Sequence, residues 1–550
     1  MKCLLIFPPF FYLPMLYPSI FYIKGFLKSH DIHDVQAVDF NVRFYDYVYG
    51  HSREIVSRLN ERLKRTNESE DPLYEERKAI LLRAPAAEKL KDRALRYFRR
   101  ESVKKEEYDT SQKLMCALNS ILDAYGALGA MDYDESTERY CSENVMKYVS
   151  SVDFPYRDFY DHEFSRLAKV GPPDFVGISL VFEHQLLHAF AVARWTREYF
   201  PKAHVCLGGT TITKIVRSPR FRSRTRKNIF KFVDSVIERE AEHSILELLK
   251  YVEDKSRHFP DYVNIVFSDQ TISAMRPSPY REMFAPDYDG LEYDKYFNMT
   301  FLGGRQKQVP FLASRGCYWR KCRFCASHYI YSGVNQCRDL KSLISTIDRY
   351  QKKYGFKFVR FNDEAMTPAL IRSLSREILK RKIKLVWATN IRIDRYLDKD
   401  ACDQLYRAGC RKLLLGAESG SQAVLDAMDK GILLKDTERL LPLLSASGLA
   451  PHLYILCHYP GETLKDIKRT FDFLKRNRRY INSLAISSFD GEILSPIYGL
   501  LDRSDIELPA ARFDFFPIFY MEKGPTKKMR EVYSQMMKFN WDLIRERQYG

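Results

Sequence analysis

Residues 314–327 read SRGCYWRKCRFCAS and place Cys317, Cys322 and Cys325 in a C-x4-C-x2-C pattern. The triplet follows an apolar run, FLASRG at 311–316, and opens a long alternation of strands and helices. Further strands read KFVRFN (357–362), KLVWAT (384–389), RKLLLGAE (411–418), HLYILCHY (452–459) and SLAISSF (483–489). Helical periodicity falls between them at 338–354, 367–381, 398–408, 420–428 with 435–447, and 463–477. Six βα units in about 180 residues predict a partial parallel (β/α)6 barrel over 310–490. The triplet then lies after the first strand, at the C-terminal mouth where such barrels carry active sites.

Eight of the 11 cysteines are scattered, as small buried hydrophobes are. Three within nine residues point to metal. Two readings fit. Three thiolates can hold one face of a cubane iron–sulfur cluster and leave one iron open. Alternatively, His328 supplies a fourth ligand and closes a zinc site. Other strand ends at the same mouth are polar: Asn362-Asp363-Glu364, then Asn390, Arg392 and Asp394, then Gly416-Ala417-Glu418-Ser419-Gly420, then Tyr459-Pro460-Gly461-Glu462-Thr463. Singly, such acids cap helices. Four sets at one mouth facing a cysteine triplet indicate a site.

The N-terminal half reads as a separate α/β unit, a Rossmann-like domain over 1–255 with a helical insertion at about 51–165. Its strands are KCLLIF, VQAVDFNV, FVGISLVF, HVCLGG and VDSVIE. No G-x-G-x-x-G follows the first strand, which argues against NAD or FAD. Small residues close two adjacent strands, at Gly177-Ile178-Ser179-Leu180 and Gly208-Gly209-Thr210, and let a large flat ligand approach the backbone. Residues 256–309 read as a linker. Residues 491–550 read as a C-terminal extension with a final helix at 527–547. Its Phe513, Phe515, Phe516, Phe519 and Tyr520 suit core packing, with capping of the mouth as the rival role.

Composition narrows the class. The chain has 550 residues, 45% hydrophobic and 29% charged, which excludes disordered and collagen-like chains. No apolar run is long enough for a membrane span. The apolar start, MKCLLIFPPFFYLPMLYPSIFYI, is broken by Pro8, Pro9, Pro14 and Pro18 and reads as strand, loop and helix start rather than a signal. A cytoplasmic location is expected. Lys and Arg exceed Asp and Glu by 88 − 71 = 17. The one sharp basic run is Arg217, Arg220, Arg222, Arg224, Arg226 and Lys227, a solvated loop or a site for phosphate or an acidic peptide. With no helix-turn-helix or zinc-finger pattern, nucleic acid is not an expected partner.

GAESGSQAVLDAMDKG (416–431) and YPGETLKD (459–466), together with the triplet, resemble the radical S-adenosylmethionine superfamily over roughly 310–490. The resemblance implies a [4Fe–4S] cluster on Cys317, Cys322 and Cys325, with S-adenosylmethionine chelating the fourth iron. It further implies that Asn362, Asp363, Glu364, Arg392, Glu418 and Ser419 contact that cofactor. The commonest spacing in the superfamily is C-x3-C-x2-C; this loop has one residue more. PPFFYLP (8–14), DFNVRFYD (39–46) and VIEREAE (236–242) resemble the superfamily's B12-binding branch, which implies a cobalamin domain with contacts at Ser179, Leu180, Gly208, Gly209 and Thr210. The D-x-H-x-x-G signature is incomplete here, because Asp31-Ile32-His33-Asp34-Val35-Gln36 lacks the glycine, so His33 reads as a surface residue.

The implied activity is methyl transfer from methylcobalamin to an unactivated carbon of a small molecule or peptide. Two molecules of S-adenosylmethionine would be consumed, and an external one-electron reductant such as flavodoxin or ferredoxin would be needed. No catalytic residue beyond the cofactor contacts is assigned. A radical rearrangement or cyclisation is the rival within this chemistry. A non-enzymatic iron–sulfur or cobalamin sensor is the rival from another class. A tRNA methylthiotransferase would need a second N-terminal cysteine triplet, and Cys3, Cys116 and Cys141 are too dispersed.

Overall fold

The structure is a computed structural model. It describes every residue except 11–14, 66–73, 100–107, 127, 129–138, 276–283, 302–303, 332–338, 394, 517 and 550. The chain forms two compact units. The first comprises Met1–Pro279, Pro286–Asn298 and Ala510–Phe516; the second comprises Tyr280–Ala285, Met299–Pro509 and Pro517–Gly550.

The first unit is built on strands β1 (Cys3–Phe7), β2 (Val35–Asp39), β3 (Phe175–Ser179), β4 (His204–Gly208), β5 (Ser235–Ile237), β6 (Ile265–Val266) and β7 (Thr271–Ile272). They form one sheet in the order β2-β1-β3-β4-β5-β6-β7. The first five run parallel, while β6 and β7 add antiparallel at one edge. Every residue of β1 is buried, as a parallel strand covered on both faces requires. Strand order reverses between β1 and β3, so the crevice beyond their C-terminal ends is the topological switch point of this sheet.

Between β2 and β3 the chain runs through helices Phe40–Gly50, Ser52–Arg65, Tyr74–Arg99, Tyr108–Gly126, Ser142–Ser150 and Arg157–Ala168. The strand expected to reach Val42 stops at Asp39, because the Asp39 carboxylate accepts the Val42 N–H at 3.1 Å and caps the first of these helices. The same carboxylate accepts the Tyr296 hydroxyl at 2.7 Å.

Two readings of the sequence change here. Residues 256–309 do more than link, since β6 and β7 extend the sheet and Tyr288, Tyr296 and Phe297 are buried. The basic run is largely internal strutting. Arg217 pairs with Glu238 and donates to Ser273. Arg226 donates to Thr271 at 2.8 Å and to the Phe267 and Gln270 carbonyls. Arg220 and Arg224 donate to the Phe513 and Ala511 carbonyls at 2.9 and 3.3 Å. Only Arg222 and Lys227 of the six are exposed without such a role.

The strap Ala510–Phe516 completes this unit. Buried Asp514 accepts the Ser142 N–H (2.8 Å), the Ser142 hydroxyl (2.7 Å) and the Thr225 hydroxyl (2.7 Å). Phe515 stacks on Phe190 with centroids 5.4 Å apart.

In the second unit a hairpin of β8 (Met299–Phe301) and β9 (Gly304–Gln306) leads into the barrel. The barrel strands are β10 (Gln308–Phe311), β11 (Phe358–Met366), β12 (Val386–Ile391), β13 (Cys410–Glu418), β14 (Ala450–Cys457) and β15 (Ser483–Ser488). They pair in sequential order, all parallel, as a six-stranded sheet. Alternate residues divide its faces. Phe361, Leu413, Leu415, Leu453 and Ile455 are buried on the helix-covered face, and Arg360, Asn390, Lys412, Leu414, His452 and Tyr454 are half-buried on the lumen face. Phe358, Val386, Ala388 and Leu414 cluster at the lumen floor. The tail adds a three-stranded sheet of β16 (Gly491–Glu492), β17 (Ile506–Glu507) and β18 (Ile518–Met521), and the helix Lys527–Ile544. Phe515, Phe516 and Phe519 are buried and serve core packing, Phe519 beside Phe489 and Tyr498, whereas Phe513 is half-buried and Tyr520 is exposed. No helix among the described residues is long and apolar enough to cross a membrane.

Burial pushes Asp39 from 3.8 up to about 7, against the lowering effect of its hydrogen bonds. The native state therefore holds a proton between those values that the unfolded chain has released, and this group's contribution falls as pH rises through the window. The stability advantage of wild type over Asp39→Asn, read from urea midpoints, should decline from about pH 4 to about pH 7 and then level. Asp39→Ala should cost about 1–3 kcal/mol, losing a cap and orphaning the Tyr296 hydroxyl.

Candidate functional site at the barrel mouth

The loop leaving β10 carries the three cysteines and is pinned from three sides. From β11, fully buried Asp363 accepts the Ala313 N–H at 3.1 Å, the Ser314 N–H, and the Ser314 hydroxyl at 2.6 Å. Next to it, Glu364 accepts the Gly316 N–H at 3.0 Å. Burial pushes Asp363 up to about 7 although Ser314 and the amides oppose it, and burial raises Glu364. Both carboxylates thus grip the root of the cysteine loop.

The turn after β13 supplies the second side. The Trp319 indole N–H donates to the Asp429 carbonyl at 2.7 Å, and the Arg323 N–H donates to the Met428 carbonyl at 2.9 Å. Gly431 has φ +66°, and a Cβ there would lie 2.0 Å from the Trp319 ring, so glycine alone admits this packing. From the tail, the Ile497 N–H donates to the Arg323 carbonyl at 2.8 Å. Within the C-x4-C spacing, Arg320 has φ +56° and its guanidinium donates to the His328 carbonyl at 2.9 Å.

All three thiols are half-buried. Cys322 lies within electrostatic reach of both Cys317 and Cys325. Arg392 reaches the Cys322 sulfur at 3.9 Å, and the Ser327 N–H donates to the Cys325 sulfur at 3.4 Å. Burial raises both thiols, Cys325 to about 12, while Lys430 and Arg392 oppose the rise at Cys322. Among the described residues, no three His, Cys, Asp or Glu side chains close on a point as the shell of a single ion would. His328, the fourth ligand a zinc site needs, holds the Cys325 carbonyl with Nδ1 at 3.0 Å. Three cysteines on one braced loop, with the Arg392 guanidinium and the Ser327 N–H directed at sulfur, are the donor set that one face of an iron–sulfur cluster would take, and His328 is engaged by a backbone carbonyl.

Above the triplet, Glu418 and Lys430 form a buried pair at 2.6 Å. Burial works against the Lys430 charge, but Glu418 raises its pKa overall. Glu418 has φ +57° at the end of β13. A Cβ at Gly416 would meet Glu418 and Lys430 atoms at 2.6 and 2.7 Å, so Gly416 clears space for the pair. Arg392 lies 4.6 Å from the Trp319 ring and donates to the Lys430 carbonyl. Sequence reading missed Lys430 and Trp319 as parts of this site, although both stand in stretches it had singled out.

Asn362 stands half-buried on the lumen face of β11. Ser419 turns away from the mouth: its hydroxyl meets Thr470 at 3.0 Å and accepts the Ser421 N–H at 3.1 Å. Asp394 lies outside the described residues.

In the first unit, the ends of β3 and β4 are brought together. The Leu180 N–H donates to Gly208 at 2.7 Å, and a Cβ at Gly209 (φ +115°) would lie 2.4 Å from the Leu180 carbonyl oxygen. Ser179 and Ser19 hydroxyls meet at 2.8 Å; Ser179, Gly208 and Thr210 stay half-buried, while the Leu180 side chain is wholly buried. Gln185, which the sequence reading did not select, joins both strands of the switch point. Its Oε1 accepts from Val181 and Phe182 at 3.0 Å and its Nε2 donates to Pro8 at 2.7 Å. The His33 side chain is 72% exposed, just before β2 at the opposite edge of the sheet.

Comparison with known proteins places this geometry. Residues 311–474 match the model of the Radical SAM superfamily. An uncharacterized methyltransferase of Pyrococcus horikoshii is 23% identical over 340 residues, 60% of this chain and 70% of that one. The anaerobic magnesium-protoporphyrin IX monomethyl ester cyclase of Rubrivivax gelatinosus is 24% identical over 251 residues, and the match spans less than half of that protein, 44% of each chain. The radical S-adenosylmethionine methyltransferase TsrM from Kitasatospora setae, solved with cobalamin and a [4Fe–4S] cluster bound, shares the fold over 99% of this chain and 89% of its own, with a TM-score of 0.57 at 12% identity. The barrel that carries the cysteine loop, residues 311–474, is a Radical SAM superfamily domain.

Proposed function

We propose that this chain is a cobalamin-dependent radical S-adenosylmethionine enzyme that transfers a methyl group to an unactivated carbon. The observation that carries the reading is the superfamily match over 311–474, with Cys317, Cys322 and Cys325 on a loop braced at the barrel mouth. The two-unit fold shared with TsrM supports cobalamin as the second cofactor. A cytoplasmic enzyme fed by a one-electron donor such as flavodoxin or ferredoxin follows from this chemistry.

In this reading Cys317, Cys322 and Cys325 hold a [4Fe–4S] cluster, and Asn362, Arg392 and Glu418 line the place of S-adenosylmethionine. Ser179, Gly208, Gly209 and Thr210 border the cobalamin. Bound together, these cofactors supply a carbon-centred radical and a transferable methyl group. The chain's own residues prepare that site. Asp363 and Glu364 fix the loop backbone so that the thiols need not be ordered on loading. Lys430 and Arg392 place positive charge beside Cys322 and favour its thiolate. Glu418 balances Lys430 and keeps that charge in place. Trp319 and Phe324 flank the same loop with apolar surface, which limits water near a reactive radical.

The match to the cyclase favours a second reading, radical cyclisation without methyl transfer. Isotope labelling separates the two. With S-adenosylmethionine carrying a trideuterated methyl, methyl transfer puts the label into product, detected by mass spectrometry, and cyclisation does not.

After anaerobic reconstitution, wild type should hold about four iron atoms per chain in the barrel and cleave S-adenosylmethionine. A Cys317→Ala, Cys322→Ala, Cys325→Ala variant should lose both, and retained cleavage would refute the assignment. Asp363→Ala should reduce iron retention by severalfold while the cysteines remain, because three donors at the loop root lose their acceptor.

A further inference from the structure

On the barrel's lumen face two cations stand without an ion-paired acid among the described residues. Register places Arg360 on β11 opposite Ala388 on β12, and Ala388 opposite Lys412 on β13. Two cations thus flank one methyl group on the lumen face, one step above Phe358 and Val386 and one step below Leu414. Arg360 spends one nitrogen, Nη2, on the Asn390 side-chain oxygen at 2.7 Å. Its other terminal nitrogen, Nη1, is buried without a partner. Lys412 makes no side-chain hydrogen bond or ion pair among the described residues.

Asp363 lies within electrostatic reach of Arg360 but forms no ion pair with it, and the nearby acids spend their oxygens elsewhere. Asp363 holds Ala313 and Ser314, Glu364 holds Gly316, and Glu418 pairs with Lys430. The remaining wall is neutral. His452 is held near 3 by burial and by Lys412 and Arg360, its Nδ1 meets the Ser483 hydroxyl at 2.8 Å, and its ring lies edge-on to Tyr454 at 4.9 Å. Tyr454 completes the rim above Asn390.

Two part-buried cations without an ion-paired acid repel each other and forgo hydration, a cost that a folded protein sheds when an anion binds between them. We propose that Arg360 and Lys412 form an oxyanion subsite at the lumen floor, and that the substrate carries a carboxylate or phosphoryl group that docks there. This deepens the function proposed above and rests on it, naming the chemical class of the substrate. Arginine offers paired N–H donors and lysine a point charge, which suits an oxyanion better than a neutral polar group. Lys412 precedes Glu418 by six residues on β13, about 20 Å along the strand. The subsite is therefore distinct from the cysteine mouth, and the substrate is extended, with its acid at the floor and its reacting carbon at the mouth. Burial and Arg360 bring Lys412 down to about 8, as expected of a cation awaiting a partner.

The test is isothermal titration calorimetry on the full-length chain at constant ionic strength. Inorganic phosphate and sodium acetate are the separate probes, and sodium chloride is the blank. Wild type should bind at least one of the two probes, and the preferred one names phosphoryl or carboxylate. Lys412→Met and Arg360→Gln should each weaken that binding by about tenfold or more. Lys202→Met, an exposed lysine of the first unit, should not change it. Absence of binding to wild type, unchanged affinity in both lumen variants, or an equal loss in Lys202→Met would each overturn the subsite. Each variant is checked by circular dichroism, and either one alone suffices if the other does not fold. Failure of wild type to cleave S-adenosylmethionine would count against the enzyme class instead, and the anion titration is independent of that result.

Discussion

The site depends on one buried carboxylate. Asp363 stands on β11 yet spends its oxygens on the first residues beyond β10, so two neighbouring strands jointly fix where the cysteine loop begins. A loop rooted this way keeps its geometry without a metal to organise it. The same group carries a burial cost large enough to shift its protonation to near neutrality.

The barrel was legible because its signals are local. Alternation of period 2 in RKLLLGAE and HLYILCHY and helical spacing between them are properties of single segments. The cysteine loop was legible as a pattern, but its bracing was not. Nothing in the triplet reveals that Trp319 rests against Gly431 or that Met428 and Asp429 lend their carbonyls, because those contacts join residues about a hundred positions apart. Three residues expected at the cofactor hold the protein itself: Asp363 and Glu364 hold the loop backbone, and Ser419 ties the turn after β13 to the helix Leu464–Arg476.

Charge was the property least readable from sequence. The run from Arg217 to Lys227 draws the eye, yet most of its guanidinium groups hold backbone carbonyls of the strap and of β6–β7. Arg360 and Lys412 sit singly in apolar strands and attract no notice, yet they flank Ala388 on one face of the sheet with no acid paired to either among the described residues. Density along the chain measures neither burial nor pairing, and those two determine what a cation does.

The strap at Ala510–Phe516 has a consequence for biogenesis. The sheet of the first unit is encoded before residue 280, but Asp514 and Phe515, which pack into that unit, are encoded only after the whole barrel. A ribosome must decode every barrel strand before the first unit can be completed. Premature termination anywhere in the barrel thus leaves both halves defective, and quality-control proteases would meet an open core rather than one finished module.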